Sequence, residues 1–221
     1  YYVDMTEDKQ ELKKLEGADA DTFEPGIFSK DKNSVYIDKQ KLKGVSPKGF
    51  EVLNSDLSFI KDYKNVYYLS ENENGTTYTP VVLNINGVDI STFELVENSS
   101  MGIHAYFKDS RNVYFFTTSN ASNIIEIRKV NGADPKTFKY SGYYYYGKDD
   151  KNVYAITRFD EVYSSKIIKN ADVNSFEVMK NNMYTKDKNN IYYDLDNNLY
   201  KIENADLKTF EILDSSYTGY G

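Results

Sequence analysis

One short segment recurs along this 221-residue chain, and a recurring unit limits the fold more than any single motif does, because each copy must bury its apolar surface against the next. The segment runs KDKNSVY at 30–36, KDYKNVY at 61–67, KDSRNVY at 108–114, KDDKNVY at 148–154 and KDKNNIY at 186–192. The shared pattern is K-D-x-x-[NS]-[VI]-Y, with an aromatic three residues before each Asp: Phe28, Phe59, Tyr106, Tyr146 and Tyr184. A second motif alternates with it, from GADADTFE at 17–24 to NADLKTFE at 204–211. Its Phe is constant as Phe23, Phe50, Phe93, Phe138, Phe176 and Phe210, and an aliphatic residue stands two positions before each opening Gly or Asn. The spacing between successive Phe residues is 27, 43, 45, 38 and 34, the range of stacked and radial repeat architectures.

Each unit has the pattern of up to four short strands. In the last complete one these are FEVM (176–179), MYTKD (183–187), NIYYDL (190–195) and LYKIE (199–203), an antiparallel β-meander. Asp31, Asp62, Asp109, Asp149 and Asp187 open tight turns, where Asp and Asn bond their own backbone and Asn tolerates positive φ. The adjacent [VI] and Tyr (Tyr36, Tyr67, Tyr114, Tyr154, Tyr192) are both constant although neighbours on a strand face opposite ways, so both faces of each sheet are expected to be packed. The expected fold is therefore all-β, a single repeat domain over 1–221 made of units of about 27–45 residues at 17–43, 44–86, 87–131, 132–169 and 170–203. Residues 204–221 look like the first half of a further unit and 1–16 like its second half, so a six-bladed β-propeller closed by the two termini is expected, with an open linear stack of meanders as the alternative.

The string KDKNNIYY and its relatives resemble the DKNYY repeat family, along nearly the whole chain. The resemblance implies a bacterial repeat protein, often exported or envelope-linked, and brings no catalytic residues with it. The chain opens on Tyr1, not Met, so a preceding segment able to carry a signal peptide or lipidation site is expected.

Composition narrows the partners. Acidic residues exceed basic ones by 34 to 27, for a net charge of −7, which argues against nucleic acid. Cysteine is absent, excluding disulfides and thiol chemistry, and no apolar run is long enough to span a bilayer as a helix. No cofactor fingerprint is present, no cofactor is expected, and a monomer is.

Individual candidates weigh toward structure. His104 is the only histidine and lacks nearby partners for a triad or a metal site. The turn aspartates offer one carboxylate each, too few for calcium; Asp194, Asp196 and Asn198 come nearer a calcium loop but lack its Gly and distal Glu. Lys30, Lys61, Lys108, Lys148 and Lys186 could form a ring that reads an anion, though guarding a solvated strand edge explains them more simply. The run Tyr143, Tyr144, Tyr145 and Tyr146 cannot all point inward, so at least two are expected at the surface, where tyrosine suits sugars or protein partners. Function is thus expected to be non-enzymatic binding of a protein or glycan through loops of variable length, in the bacterial envelope or secreted. The alternatives are an intracellular partner-neutralising protein or a structural spacer, and third a propeller-type glycoside hydrolase.

Overall fold

The computed structural model describes residues 2–6, 9–13, 15–54, 56, 58–72, 77–96, 104–119, 124–142, 145–159, 162–179, 184–195 and 198–212. By internal packing the chain divides into two compact units, Tyr1–Leu95 and Val96–Gly221. Among the described residues every extended element is antiparallel, and no α-helix occurs.

The first unit begins with a hairpin of β1 (Tyr2–Thr6) and β2 (Lys9–Lys13). A three-stranded meander follows, formed by β3 (Phe28–Lys30), β4 (Val35–Ile37) and β5 (Gln40–Lys41). The next sheet has four strands in chain order: β6 (Glu51–Val52), β7 (Phe59–Lys61), β8 (Val66–Glu71) and β9 (Tyr78–Val82). A 3-10 turn at Ile90–Thr92 and the short β10 (Glu94–Leu95) end this unit. The 27-residue first repeat has three strands, within the expected limit of four: an isolated bridge between Glu24 and Lys30 stands where other repeats carry their first strand.

In the second unit, β11 (His104–Lys108), β12 (Val113–Ser119) and β13 (Ile124–Lys129) form one meander, and the Val96 N–H donates to the Tyr106 carbonyl at 2.9 Å beside it. Two four-stranded sheets complete it: β14 (Lys139–Tyr140), β15 (Tyr146–Lys148), β16 (Val153–Phe159) and β17 (Val162–Ile167), then β18 (Glu177–Val178), β19 (Tyr184–Lys186), β20 (Ile191–Leu195) and β21 (Asn198–Lys201).

Both faces of an inner sheet are packed, as the paired constant residues require. On β16, Tyr154 and Ile156 join Val113, Phe115 and Phe138 in a cluster shared with the preceding repeat. Val153 and Ala155, one position out of phase, join Tyr146 and Phe176 in a cluster shared with the following repeat. Within the first unit, Val35 and Ile37 likewise meet Ile60, Tyr67 and Leu69. Burying each such side chain contributes about 1.5–3 kcal/mol, so the face-to-face contact between consecutive sheets is the main source of stability. Gly147 allows one of these contacts: the Phe138 ring lies directly over its Cα, where any Cβ would collide.

Candidate functional site

The constant columns converge on one hydrogen-bonded node per repeat. Asp149 is 4% exposed, and its Oδ1 accepts the backbone N–H groups of Lys151 and Asn152 at 2.8 and 2.7 Å, which closes the β15–β16 turn from inside. Its Oδ2 accepts the Asp134 N–H at 3.0 Å, fastening the second motif to the first, and the Tyr154 hydroxyl at 2.7 Å. The Asn152 side-chain amide in turn donates to the Tyr154 hydroxyl at 3.3 Å. The node recurs at Asp31 and Tyr36, Asp62 and Tyr67, Asp109 and Tyr114, and Asp187 and Tyr192, with O···O distances of 2.7–3.1 Å. The K-D-x-x-[NS]-[VI]-Y pattern is thus a carboxylate that caps a turn and a tyrosine that bonds it, joined in the four repeats with Asn by an amide donor to the tyrosine hydroxyl.

Electrostatics follow. Burial pushes the Asp149 carboxyl up, but the Asp134 N–H, the Tyr154 hydroxyl and the two turn N–H groups outweigh it and hold it below the usual carboxylate value. Asp31, Asp62 and Asp187 are lowered in the same way. Burial, with the neighbouring carboxylate adding to it, lifts the Tyr67 and Tyr192 hydroxyls to about 12.

Positive φ does not fall in the aspartate turns, where the sequence suggested it. It falls at the opening residue of the second motif, as at Gly132 (83°) and Asn170 (65°), which is why that column admits only Gly and Asn.

Lys61, Lys148 and Lys186 are not edge guards, because β7, β15 and β19 are interior strands, whereas Lys30 stands on β3, the outer strand of its sheet. Lys61 is 7% exposed and donates from Nζ to the Phe93 carbonyl at 2.8 Å, the constant Phe of the next motif, while pairing with Glu51 at 3.0 Å. Lys148 donates to the Val173 and Phe176 carbonyls at 3.0 and 3.3 Å, again one repeat onward. Its cross-strand partner is Lys139, where other repeats carry Glu, so no carboxylate competes for it there. Lys30 pairs with Glu24 and Lys186 with Glu177 at 3.0 and 2.9 Å. Lys61 and Lys148 are thus staples to the next repeat, and sequence alone could not reveal partners that are main-chain carbonyls.

The tyrosine run divides. Tyr146 is buried against Phe176, with ring centroids 5.8 Å apart, because β15 is an interior strand packed by the following sheet. Tyr145 is half-buried, and its hydroxyl lies 3.3 Å from His104 Nε2. Tyr146 thus belongs to the core, and Tyr143 and Tyr144, the other members of the run, lie outside the described residues. His104 is buried, stacked on Phe115 at 5.7 Å with Tyr145 and Tyr163 beside it; burial lowers its pKa to about 4.

For the calcium candidates, Asp194 and Asn198 stand on the backbones of β20 and β21, while their side chains and all of Asp196 lie outside the described residues. Among the described residues no three His, Cys, Asp or Glu side chains gather as metal ligands. No described helix is long and apolar enough to cross a membrane.

No curated protein and no solved structure matches the chain. A family model does, over residues 1–72 and 28–196, and a match of that extent means that the chain belongs to the DKNYY family.

Proposed function

We propose that the chain is a non-enzymatic recognition scaffold of a bacterial envelope or secreted protein, presenting the tips of its third-to-fourth-strand hairpins to a protein or a glycan. One observation carries this reading: the node is constant while the hairpin it anchors is not. The constant tyrosines pair as Tyr36 with Lys41, Tyr67 with Val82, Tyr114 with Lys129, Tyr154 with Ile167 and Tyr192 with Lys201, so the intervening chain ranges from 4 to 14 residues above the same frame. Fixed frames with connections of free length and polar composition are how repeat scaffolds build binding surfaces.

For the whole domain the reading adopts a six-bladed β-propeller, since four-stranded meanders in chain order are the blade topology. An open stack would share the sheet packing; small-angle scattering separates a compact ring from an elongated rod. The charge of −7 favours one second reading, a protein that neutralises a basic partner.

The test is a screen of the full chain against immobilised glycans and a panel of acidic and basic proteins, repeated with residues 72–77 and 120–123 each exchanged for Asn-Gly. Circular dichroism and melting temperature are expected to stay close to the parent while the ligand found in the screen is lost. Retention of that ligand after both exchanges would refute the hairpin-tip reading, and turnover of a glycoside panel would refute the non-enzymatic one.

A further inference from the structure

A cleft in the second unit has a composition that the rest of the chain does not prepare for. It has a volume of about 350 Å³, at the small end of the range for ligand sites, and opens between β17 and β21, the last strands of two consecutive sheets. Its floor continues the core, with Ala155, Ile168, Tyr192 and Leu199. Its rim carries Lys166, Lys169 and Lys201, and among the described residues no acidic side chain lines it, in a chain whose net charge is −7. Lys201 has only a loose pairing, 3.7 Å to the exposed Glu203. Beside the lysines stand two large apolar side chains open to solvent, Tyr200 at 54% and Ile167 at 45%.

The same place in the first unit repeats the composition. Between β5 and β9 a cleft is lined by Lys39, Lys41 and Lys43 with Tyr78 and Pro80, and by one acid, Asp38. Lys43 and Lys169 occupy the same repeat position, directly before Gly44 and Asn170, and Pro80 and Leu199 stand three residues before Leu83 and Ile202. Two clefts at one repeat position, each with three lysines around an aromatic and an aliphatic surface, are unlike the random scatter of charge on a solvated face.

We infer that these inter-sheet clefts bind an anionic sugar, a pyranose whose apolar C–H face rests on the Tyr200 ring and the aliphatic floor while its carboxylate or phosphate meets the lysines. A ring ligand fits the cleft of about 350 Å³ better than an acidic peptide, whose extended backbone would pair along the outer edge of β17 or β21 and not fill the cleft between them. The β17–β21 cleft uses none of the hairpin-tip residues and is where the test below is made, so it stands or falls separately from the function proposed above.

Titration calorimetry on the full chain tests this with a hexuronate disaccharide, a hexose phosphate, the neutral disaccharide, inorganic phosphate and a tetraglutamate peptide. At least one acidic sugar is expected to bind, at least tenfold more tightly than the neutral sugar, phosphate or the peptide, and more weakly as salt rises. Lys166→Gln with Lys169→Gln is expected to weaken that sugar at least tenfold and flatten the salt dependence, whereas Tyr200→Ala weakens it and leaves the salt dependence in place. All three side chains are exposed, so melting temperature serves as the folding control. Equal binding of the neutral sugar or the peptide, indifference to these substitutions, or no binding of either acidic sugar would overturn the assignment.

Discussion

Replacing Tyr154 by Phe removes one oxygen from a fully connected node of the fold. That hydroxyl lies 2.7 Å from Asp149 Oδ2, 2.9 Å from the Gly132 carbonyl and 3.3 Å from the Asn152 amide nitrogen. A hydrogen bond to a charged group contributes about 1.5–3 kcal/mol. Asp149 keeps its three backbone donors in the variant, so the carboxylate is weakened and not orphaned, and a loss of about 2 kcal/mol is expected. For a domain of this size that lowers the melting temperature by about 4–8 °C. Asp149→Ala strips the acceptor from all four donors at once and is expected to cost about 3–5 kcal/mol. Once Asp149 is gone the tyrosine hydroxyl has lost its main partner, so the double variant should be only slightly less stable than Asp149→Ala. Urea unfolding followed by far-ultraviolet circular dichroism measures all three, with Tyr200→Phe as a solvent-exposed control. The reasoning fails if Tyr154→Phe is indistinguishable from that control, or if the two node substitutions are additive.

Gly147→Ala places a methyl group against the Phe138 ring and is expected to lose about 1–3 kcal/mol in the same urea assay, whereas Asn170→Gly, at a positive φ that glycine adopts freely, should stay within about 0.5 kcal/mol of the parent. Lys61→Met keeps the buried stem but loses the bond to Phe93, for about 1.5–3 kcal/mol, while Lys186→Met, which loses an exposed pair with Glu177, should lose under about 1 kcal/mol. His104 is neutral in both states above pH ~6.5; between there and about 4 the unfolded chain binds a proton that the folded one refuses, so stability falls as pH is lowered. His104→Gln should flatten that slope when chemical denaturation is repeated across pH. The lowered carboxylates of Asp31, Asp62, Asp149 and Asp187 act further down: their contribution is complete above the unfolded value near ~3.9 and is lost as pH falls through the folded values, leaving a second decline that His104→Gln does not remove.

Much of the frame was legible in the residues. The four strands expected for the last complete unit correspond to β18–β21 with ends shifted by at most two residues, and the adjacent [VI] and Tyr columns implied the two packed faces that Val153 and Tyr154 occupy. The partners of the lysines were not legible, because a carbonyl 25 to 32 residues away has no residue identity of its own to leave in the sequence. Positive φ was assigned to the wrong turn for a related reason: a buried Asp carboxylate can close a hairpin without a left-handed residue, and the Gly or Asn requirement moved to the motif that turns the chain without such help. Crowding within the tyrosine run did not show which members are buried, because the strand position of each decides which face it enters, as for Tyr146 on β15. The fourth-strand clefts escaped notice because Lys166 on β17 and Lys169 just after it lie more than thirty residues from Lys201 on β21.

The node joins its two motifs over a short stretch of chain: Asp31, Asp62, Asp149 and Asp187 each reach back only 12 to 16 residues to the N–H they accept. Everything that specifies one copy is therefore encoded inside that copy, and what it asks of its neighbour is an apolar face and a carbonyl. Such a gene segment can be duplicated, deleted or recombined in register without redesigning the remainder, and each newly made copy can close on itself before its successor emerges from the ribosome. Copy number then becomes a heritable variable in its own right, set by recombination instead of by point mutation.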